Sequence, residues 1–258
     1  MNCTDGALRV GVDIGSTAAK AAALDGRGNL LATVVCPTGF SGIEASEHLA
    51  EALAGRGVDV SSCPVVATGY GRVSVPYAQD TVTEITCHGK GANYLFDDDG
   101  VVIDIGGQDT KAILLRGGKV LKFVMNDKCS AGTGKFLEVM ANRMGVSQAD
   151  LSALARAGQP TTISSMCTVF AESEVISLIG RGEPRANIAY GVIESVVGRV
   201  ATLVAQMPEN RYFLTGGLCE NPYVIQRLSN RLGAPVTTRR EARFAGAIGA
   251  ALCATAPC

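Results

Sequence analysis

The sequence has no tryptophan and only two histidines, His48 and His88, in 258 residues. Neither histidine stands at metal-ligand spacing, so both read as structural. Cys87 precedes His88, but adjacent residues on a helix point apart. No Cys-x-x-Cys pair occurs, and the nine cysteines are odd in number. Neither a G-x-x-x-x-G-K-[ST] loop nor a G-x-G-x-x-G turn is present, which removes two common nucleotide fingerprints. No apolar stretch approaches the roughly 20 residues that a bilayer crossing needs. Met1–Gly6 lacks the basic and apolar regions of a secretory leader. Net charge is −1 with the charges interspersed, so no nucleic-acid or membrane patch stands out. A soluble, cytoplasmic protein is expected. Disulfides are not expected there, and most of the thiols read as small core residues.

What is present is a repeat. Val10–Leu24 reads V-G-V-D-I-G-S-T-A-A-K-A-A-A-L, and Val101–Leu115 reads V-V-I-D-I-G-G-Q-D-T-K-A-I-L-L. Asp13 aligns with Asp104, and Lys20 with Lys111. Each copy predicts a buried strand, a Gly turn and a second strand. Two copies predict two similar lobes. The first spans residues 1–97 and the second 98–242, with the last helix, 243–258, packing back on the first. Residues 43–54 and 83–94 show helical periodicity, as do 134–144, 148–155, 170–179 and 188–204. Short strands are expected at 65–68 and 212–215. Strands interleaved with helices make the class α/β.

The two turns carry phosphate chemistry. Gly15 lets the chain turn tightly after Asp13. Ser16 and Thr17 offer hydroxyls and backbone N–H groups for an anion nest, and Lys20 adds a charge within reach of phosphate. Asp13 suits an indirect Mg²⁺ ligand or a water-orienting carboxylate. Asp104, Gly106, Gly107 and Gln108 repeat the design, with Gln108 placed to orient an attacking water. Either loop alone fits a plain hairpin turn. The matched pair with Thr215-Gly216-Gly217 resembles the superfamily of sugar kinases, heat-shock chaperones and actin. That resemblance implies two facing phosphate loops, a Gly-Gly loop for adenosine and a cleft between duplicated lobes. The small-residue run Ala245–Ala251 resembles that superfamily's last helix.

Two cysteines stand apart from the rest. Asn126-Asp127-Lys128-Cys129 ends a strand, and Ile163–Cys167 leads into Thr168-Val169-Phe170-Ala171-Glu172. Both cysteines are expected at or just before a helix N-terminus. There, free N–H groups and the dipole favour thiolate and an anionic iron–sulfur cluster. Such a cluster usually takes four thiolates, so a twofold dimer sharing one cluster matches the count. Two buried helix-cap cysteines fit the pattern as well. Glu172 and Glu174 are expected to complement the helix dipole.

The motifs Asn126–Gly134, Cys167–Glu174, Ala67–Arg72 and Ile103–Asp109 resemble the 2-hydroxyacyl-CoA dehydratase activators, also called component A. These are related to the ATP-binding subunits of benzoyl-CoA reductase. The likeness runs from Val10 to Leu252. It implies a homodimer with one bridging [4Fe–4S] cluster on Cys129 and Cys167, binding ATP or ADP with Mg²⁺. An electron would come from ferredoxin or flavodoxin, and ATP hydrolysis would drive it to the dehydratase, component D. Nucleotide contacts carry over to Ser16, Thr17, Ala18, Ala19, Lys20, Asp104, Gly106, Ala131, Lys135, Gly216, Gly217 and Arg243. Arg243-Phe244-Ala245 departs from the family's Gln-Tyr-Asn. Ala131 and Lys135 are expected on a helix beginning at Cys129, giving nucleotide a lever on the cysteine. A benzoyl-CoA-type reductase subunit, a small-molecule kinase and a non-redox ATPase on the same fold are the rival readings.

Overall fold

A computed structural model describes residues 8–164 and 167–254. Ser165 and Met166, which belong to the second cysteine motif, lie outside the described residues, as do Cys3 and Cys258. The elements run β1 (Arg9–Ile14), β2 (Ala18–Leu24), β3 (Leu30–Pro37), α1 (Gly42–Ala54), β4 (Val65–Thr68), β5 (Asp80–Thr81), α2 (Glu84–Phe96), β6 (Gly100–Ile105), β7 (Thr110–Arg116) and β8 (Lys119–Asn126). There follow α3 (Gly134–Met144), α4 (Gln148–Arg156), α5 (Thr168–Gly180), α6 (Arg185–Val204), β9 (Tyr212–Gly216), α7 (Pro222–Leu232), β10 (Val236–Thr237) and α8 (Ala245–Cys253).

The strands form two five-stranded sheets, ordered β3-β2-β1-β4-β5 and β8-β7-β6-β9-β10. The order is the same in both, so the repeat seen at the two turns covers a whole sheet. In each, the strand carrying the aspartate lies between its hairpin partner and a parallel strand that arrives later in the chain. The two-residue strands β5 and β10 give no sequence signal, because period-2 patterning needs about four residues to register.

The chain divides into two compact units. The first gathers the residues up to Asp99, Leu115–Lys122 and the segment from Arg239. Its sheet buries both faces. Val10, Val12, Ala19, Ala21 and Ala23 pack with Leu49 and Leu53 of α1. On the other face Ala22 and Val66 meet α8 residues Ala247, Ile248 and Ala250. The alternation of alanines along β2 is therefore a period-2 split between two cores. Gly249 lies against the Cys87 carbonyl and Gly91 against that of Ala245, so α2 and α8 touch backbone to backbone. The small-residue run of α8 is what permits that approach.

The second unit holds Gly100–Leu114 and Phe123–Thr238. Side chains cap two of its helix starts. Ser147 accepts from Asp150 N at α4, and Asn221 accepts from Tyr223 N and Val224 N at α7. α6 corrects one expectation. Its 20 residues are long and apolar enough, by length and composition, to cross a membrane. Half of its apolar window is buried in this unit, and Glu194 within it accepts from Arg227 Nε at 2.6 Å. That is the pattern of a core helix.

Candidate functional site

The first turn is a tight hairpin. Gly15 N donates to Ala18 O at 3.2 Å, with Asp13 facing Lys20 across the ladder. Thr38, just past β3, braces it by donating from Oγ1 to Gly15 O and from N to Thr17 O. Ser16 and Thr17 are exposed at its tip, while Ala18 and Lys20 are half-buried and Ala19 is buried. Asp13 is buried, and its Oδ2 lies 3.7 Å from Lys20 Nζ. Its Oδ1 has no hydrogen-bond partner.

The second turn closes the same way, Gly106 N donating to Asp109 O at 3.0 Å. Gly106 and Gly107 are half-buried, and Gln108 is exposed at the tip. Here the aspartate is fixed. Asp104 Oδ1 accepts from Thr215 Oγ1 at 2.9 Å, and its Oδ2 lies 3.4 Å from Lys111 Nζ. Lys111 Nζ also meets Asp109 Oδ2 at 2.7 Å. The two aligned lysines thus differ in kind. The Lys20 side chain is 14% exposed and the Lys111 side chain 1%. Lys111 is spent on two buried carboxylates, so only Lys20 can supply the mobile charge the repeat appeared to offer twice.

A further pairing escapes linear reading. Thr68-Gly69 ends β4 opposite Asp13, as Thr215-Gly216 ends β9 opposite Asp104. Both glycines have positive φ, +87 and +80. A Cβ on Gly69 would stand 2.5 Å from Asp13 Oδ1, and one on Gly216 2.8 Å from Asp104 Oδ1. Glycine is therefore required beside each aspartate. The common Thr-Gly pair was the available signal, hidden by unequal spacing along the chain.

The cysteine motifs lie in the second unit, and the structure moves one of them. Cys167 is the N-cap residue of α5 and makes no side-chain cap bond. The first-turn N–H groups there are left without a side-chain acceptor from the cap. Cys129 is not at a helix entrance. It sits four residues before Thr133, the N-cap of α3. The reason is local. Asn126 Nδ2 donates to Cys129 O at 2.8 Å and Ala131 O at 2.9 Å, Gly132 turns at φ +89, and Thr133 Oγ1 donates back to Ser130 O. Ala131 is accordingly in this loop and buried, and only Lys135 is on α3, where it pairs with Glu138 at 2.8 Å.

Two sets of bonds tie this loop to its surroundings. Gly134 N and Lys135 N, opening α3, donate to Gly106 O and Gly107 O, each at 2.9 Å. Thr110 Oγ1, just after the second turn, donates to Gly132 O at 2.7 Å. On the other side, Ser130 Oγ and Thr168 Oγ1 are 2.9 Å apart. These hydroxyls belong to the residues that follow Cys129 and Cys167, so one hydrogen bond links the two motifs. Both cysteines are half-buried and uncrosslinked. Two half-buried thiols, on motifs joined by one hydrogen bond, fit half the ligand set of a [4Fe–4S] cluster.

Other expected residues find structural roles. Glu172 and Glu174 lie beyond the first turn of α5, so they do not serve its dipole. Glu172 accepts from Arg143, and Glu174 accepts from Ser164 N. His88 is buried, with Nδ1 3.1 Å from Glu84 O. Cys87 is buried, and desolvation pushes its thiol up to about 12. Arg243 lies in a short 3-10 turn with its guanidinium 5.9 Å from the Phe244 ring centre. Gly217 borders a depression of about 470 Å³ lined by Gln148, Ser152, Arg156, Glu220 and Asn221.

Known proteins resemble the chain over nearly its whole length. The activator of lactoyl-CoA dehydratase from Anaerotignum propionicum is 42% identical over 250 residues, 94% of this chain and 95% of that protein. Component A of (R)-2-hydroxyglutaryl-CoA dehydratase from Acidaminococcus fermentans superposes with a TM-score of 0.91 at 38% identity, covering 96% of this chain and 97% of that one. The activator of 2-hydroxyisocaproyl-CoA dehydratase from Clostridium difficile, solved with bound ADPNP, gives 0.89 at 36%, covering 96% and 94%. A glucokinase of the ROK family from Streptomyces griseus, at 16% identity and a TM-score of 0.60, shares the fold alone. The fold is that of the actin-like ATPases and sugar kinases. The profile of the BadF/BadG/BcrA/BcrD ATPases matches residues 10–254, and the chain belongs to that ATPase family.

Proposed function

We propose that this protein is an ATP-driven activator that passes a low-potential electron to a 2-hydroxyacyl-CoA dehydratase. The observation that carries the reading is the bonded route within the second unit. It runs from the Gly106–Gly107 carbonyls through the start of α3 to the Cys129 loop, and through Ser130 and Thr168 to Cys167. A nucleotide that displaces the second turn by a fraction of an ångström pulls on both cysteine motifs, because short hydrogen bonds between packed elements transmit displacement.

Cys129 and Cys167 supply two thiolates, and a second copy of the chain supplies the other two. A [4Fe–4S] cluster bound there provides one-electron transfer. Ferredoxin or flavodoxin is the proposed donor and the cytoplasm the proposed compartment. Ser16, Thr17 and Lys20 hold phosphate, with the Ala18 and Ala19 backbone beside them. Asp13 and Asp104 would each suit an indirect Mg²⁺ ligand, and Gln108 would orient the attacking water. Gly106, Gly107, Ala131 and Lys135 face the phosphates. Gly216 and Gly217 take the adenosine side, and Arg243 is a further proposed nucleotide contact.

The test is iron extraction by a chelator from anaerobically purified protein without nucleotide, with ADP and with a non-hydrolysable ATP analogue. The ATP-like state should change the extraction rate at least severalfold against ADP. Equal rates in all three states would sink the coupling.

A further inference from the structure

We propose that Thr215 is a positioning residue for ATP hydrolysis, fixing the orientation of the Asp104 carboxylate through its hydroxyl. The inference rests on the reading of Asp104 as part of the nucleotide site. Thr215 is fully buried on β9, in register with Asp104 on the parallel strand β6. Its Oγ1 donates to Asp104 Oδ1 at 2.9 Å, while Lys111 Nζ lies 3.4 Å from Oδ2. Both oxygens are thereby held, and the carboxylate plane cannot rotate. The next residues are Gly216 and Gly217, whose backbone is bonded to the same segment of β6 through Gly217 N to Ile105 O at 3.1 Å.

The first unit shows that the fold itself does not demand this bond. Thr68 occupies the equivalent register opposite Asp13, yet Asp13 Oδ1 is buried with no hydrogen-bond partner among the described residues, and the Thr68 hydroxyl faces the Cys87 thiol instead. The same residue pair thus has one bonded and one unbonded version. In the bonded version, the strand that ends in the adenosine loop sets the angle of the carboxylate. Seating of the sugar and base is then felt at the phosphate end through a single hydroxyl.

The experiment compares steady-state ATP hydrolysis by Thr215→Val, which keeps the branched shape, Thr215→Ser, which keeps the hydroxyl, and Asp104→Asn. Thr215→Val should lower kcat about tenfold with KM for ATP within about twofold, as misplacement of a reacting group does. Thr215→Ser should restore kcat. If Asp104→Asn turns over normally, the reading of Asp104 is wrong. If Asp104→Asn is inactive while Thr215→Val keeps wild-type kcat, the assignment of Thr215 is overturned. It is overturned equally if Thr215→Val is slowed through KM alone, or if Thr215→Ser is as slow as Thr215→Val. Should Thr215→Val not fold, Thr215→Ala carries the same readouts. Should neither fold, a folded Ser variant more than about threefold slow overturns the assignment.

Discussion

The two Asp-Ile-Gly turns share sequence, strand order and hairpin closure, yet one is loose and the other locked. Asp13 has one distant lysine and an unpartnered oxygen. Asp104 has a threonine, a buried lysine and, through that lysine, a second carboxylate. Duplication gave both lobes the same parts, and the second lobe spent its lysine on structure. The locked turn is also the one bonded to α3 and the Cys129 loop. Under the proposed function, rigidity lies where displacement is to be transmitted, and freedom where a charge is to reach the nucleotide.

The largest effects should fall on the cysteines. Cys129→Ser and Cys167→Ser should each abolish the brown chromophore of anaerobically purified protein, read as loss of absorbance near 400 nm. Other cysteines such as Cys63→Ser should not. A chromophore surviving Cys129→Ser would detach the locked turn from any redox role.

The lysines sharpen the contrast next. Lys111→Met leaves two buried carboxylates unpaired and should cost about 3–5 kcal/mol in urea unfolding. Lys20→Met removes a single, longer 3.7 Å contact to one buried carboxylate and should cost less than Lys111→Met, while weakening ATP binding. Equal losses would erase the distinction between the turns. Gly69→Ala and Gly216→Ala test what the turns share. Each forces a side chain into positive φ against an aspartate, and each should lose about 1–3 kcal/mol or more. The smallest effect expected is Thr68→Val, within about 1 kcal/mol of wild type, since its hydroxyl has no carboxylate to hold and loses only a weak bond with the Cys87 thiol. A destabilisation as large as that of Thr215→Val would show the first turn to be locked too.

Much of this was legible in the chain. The strand 65–68 and the helix 134–144 fall where periodicity places them, and Asp13 and Asp104 occupy equivalent places in two matching sheets. What was not legible is long-range. Lys111 reads like Lys20 because burial depends on what packs over it. Cys129 reads like a helix entrance because Gly132 and the Asn126 side chain, which postpone α3 to Gly134, act only in three dimensions. The Ser130–Thr168 contact joins residues 38 apart, beyond any local pattern.

The central claim is that two thiols per chain, at 129 and 167, complete a four-thiolate set only in a pair of chains. Iron and acid-labile sulfide per polypeptide, measured on anaerobically purified protein of known mass in solution, tests it most directly. The account predicts about two irons and two sulfides per chain in a dimer, from the four-iron cluster shared by four cysteines. Iron-free protein that still binds ATP, or about four irons on a monomer, would contradict it.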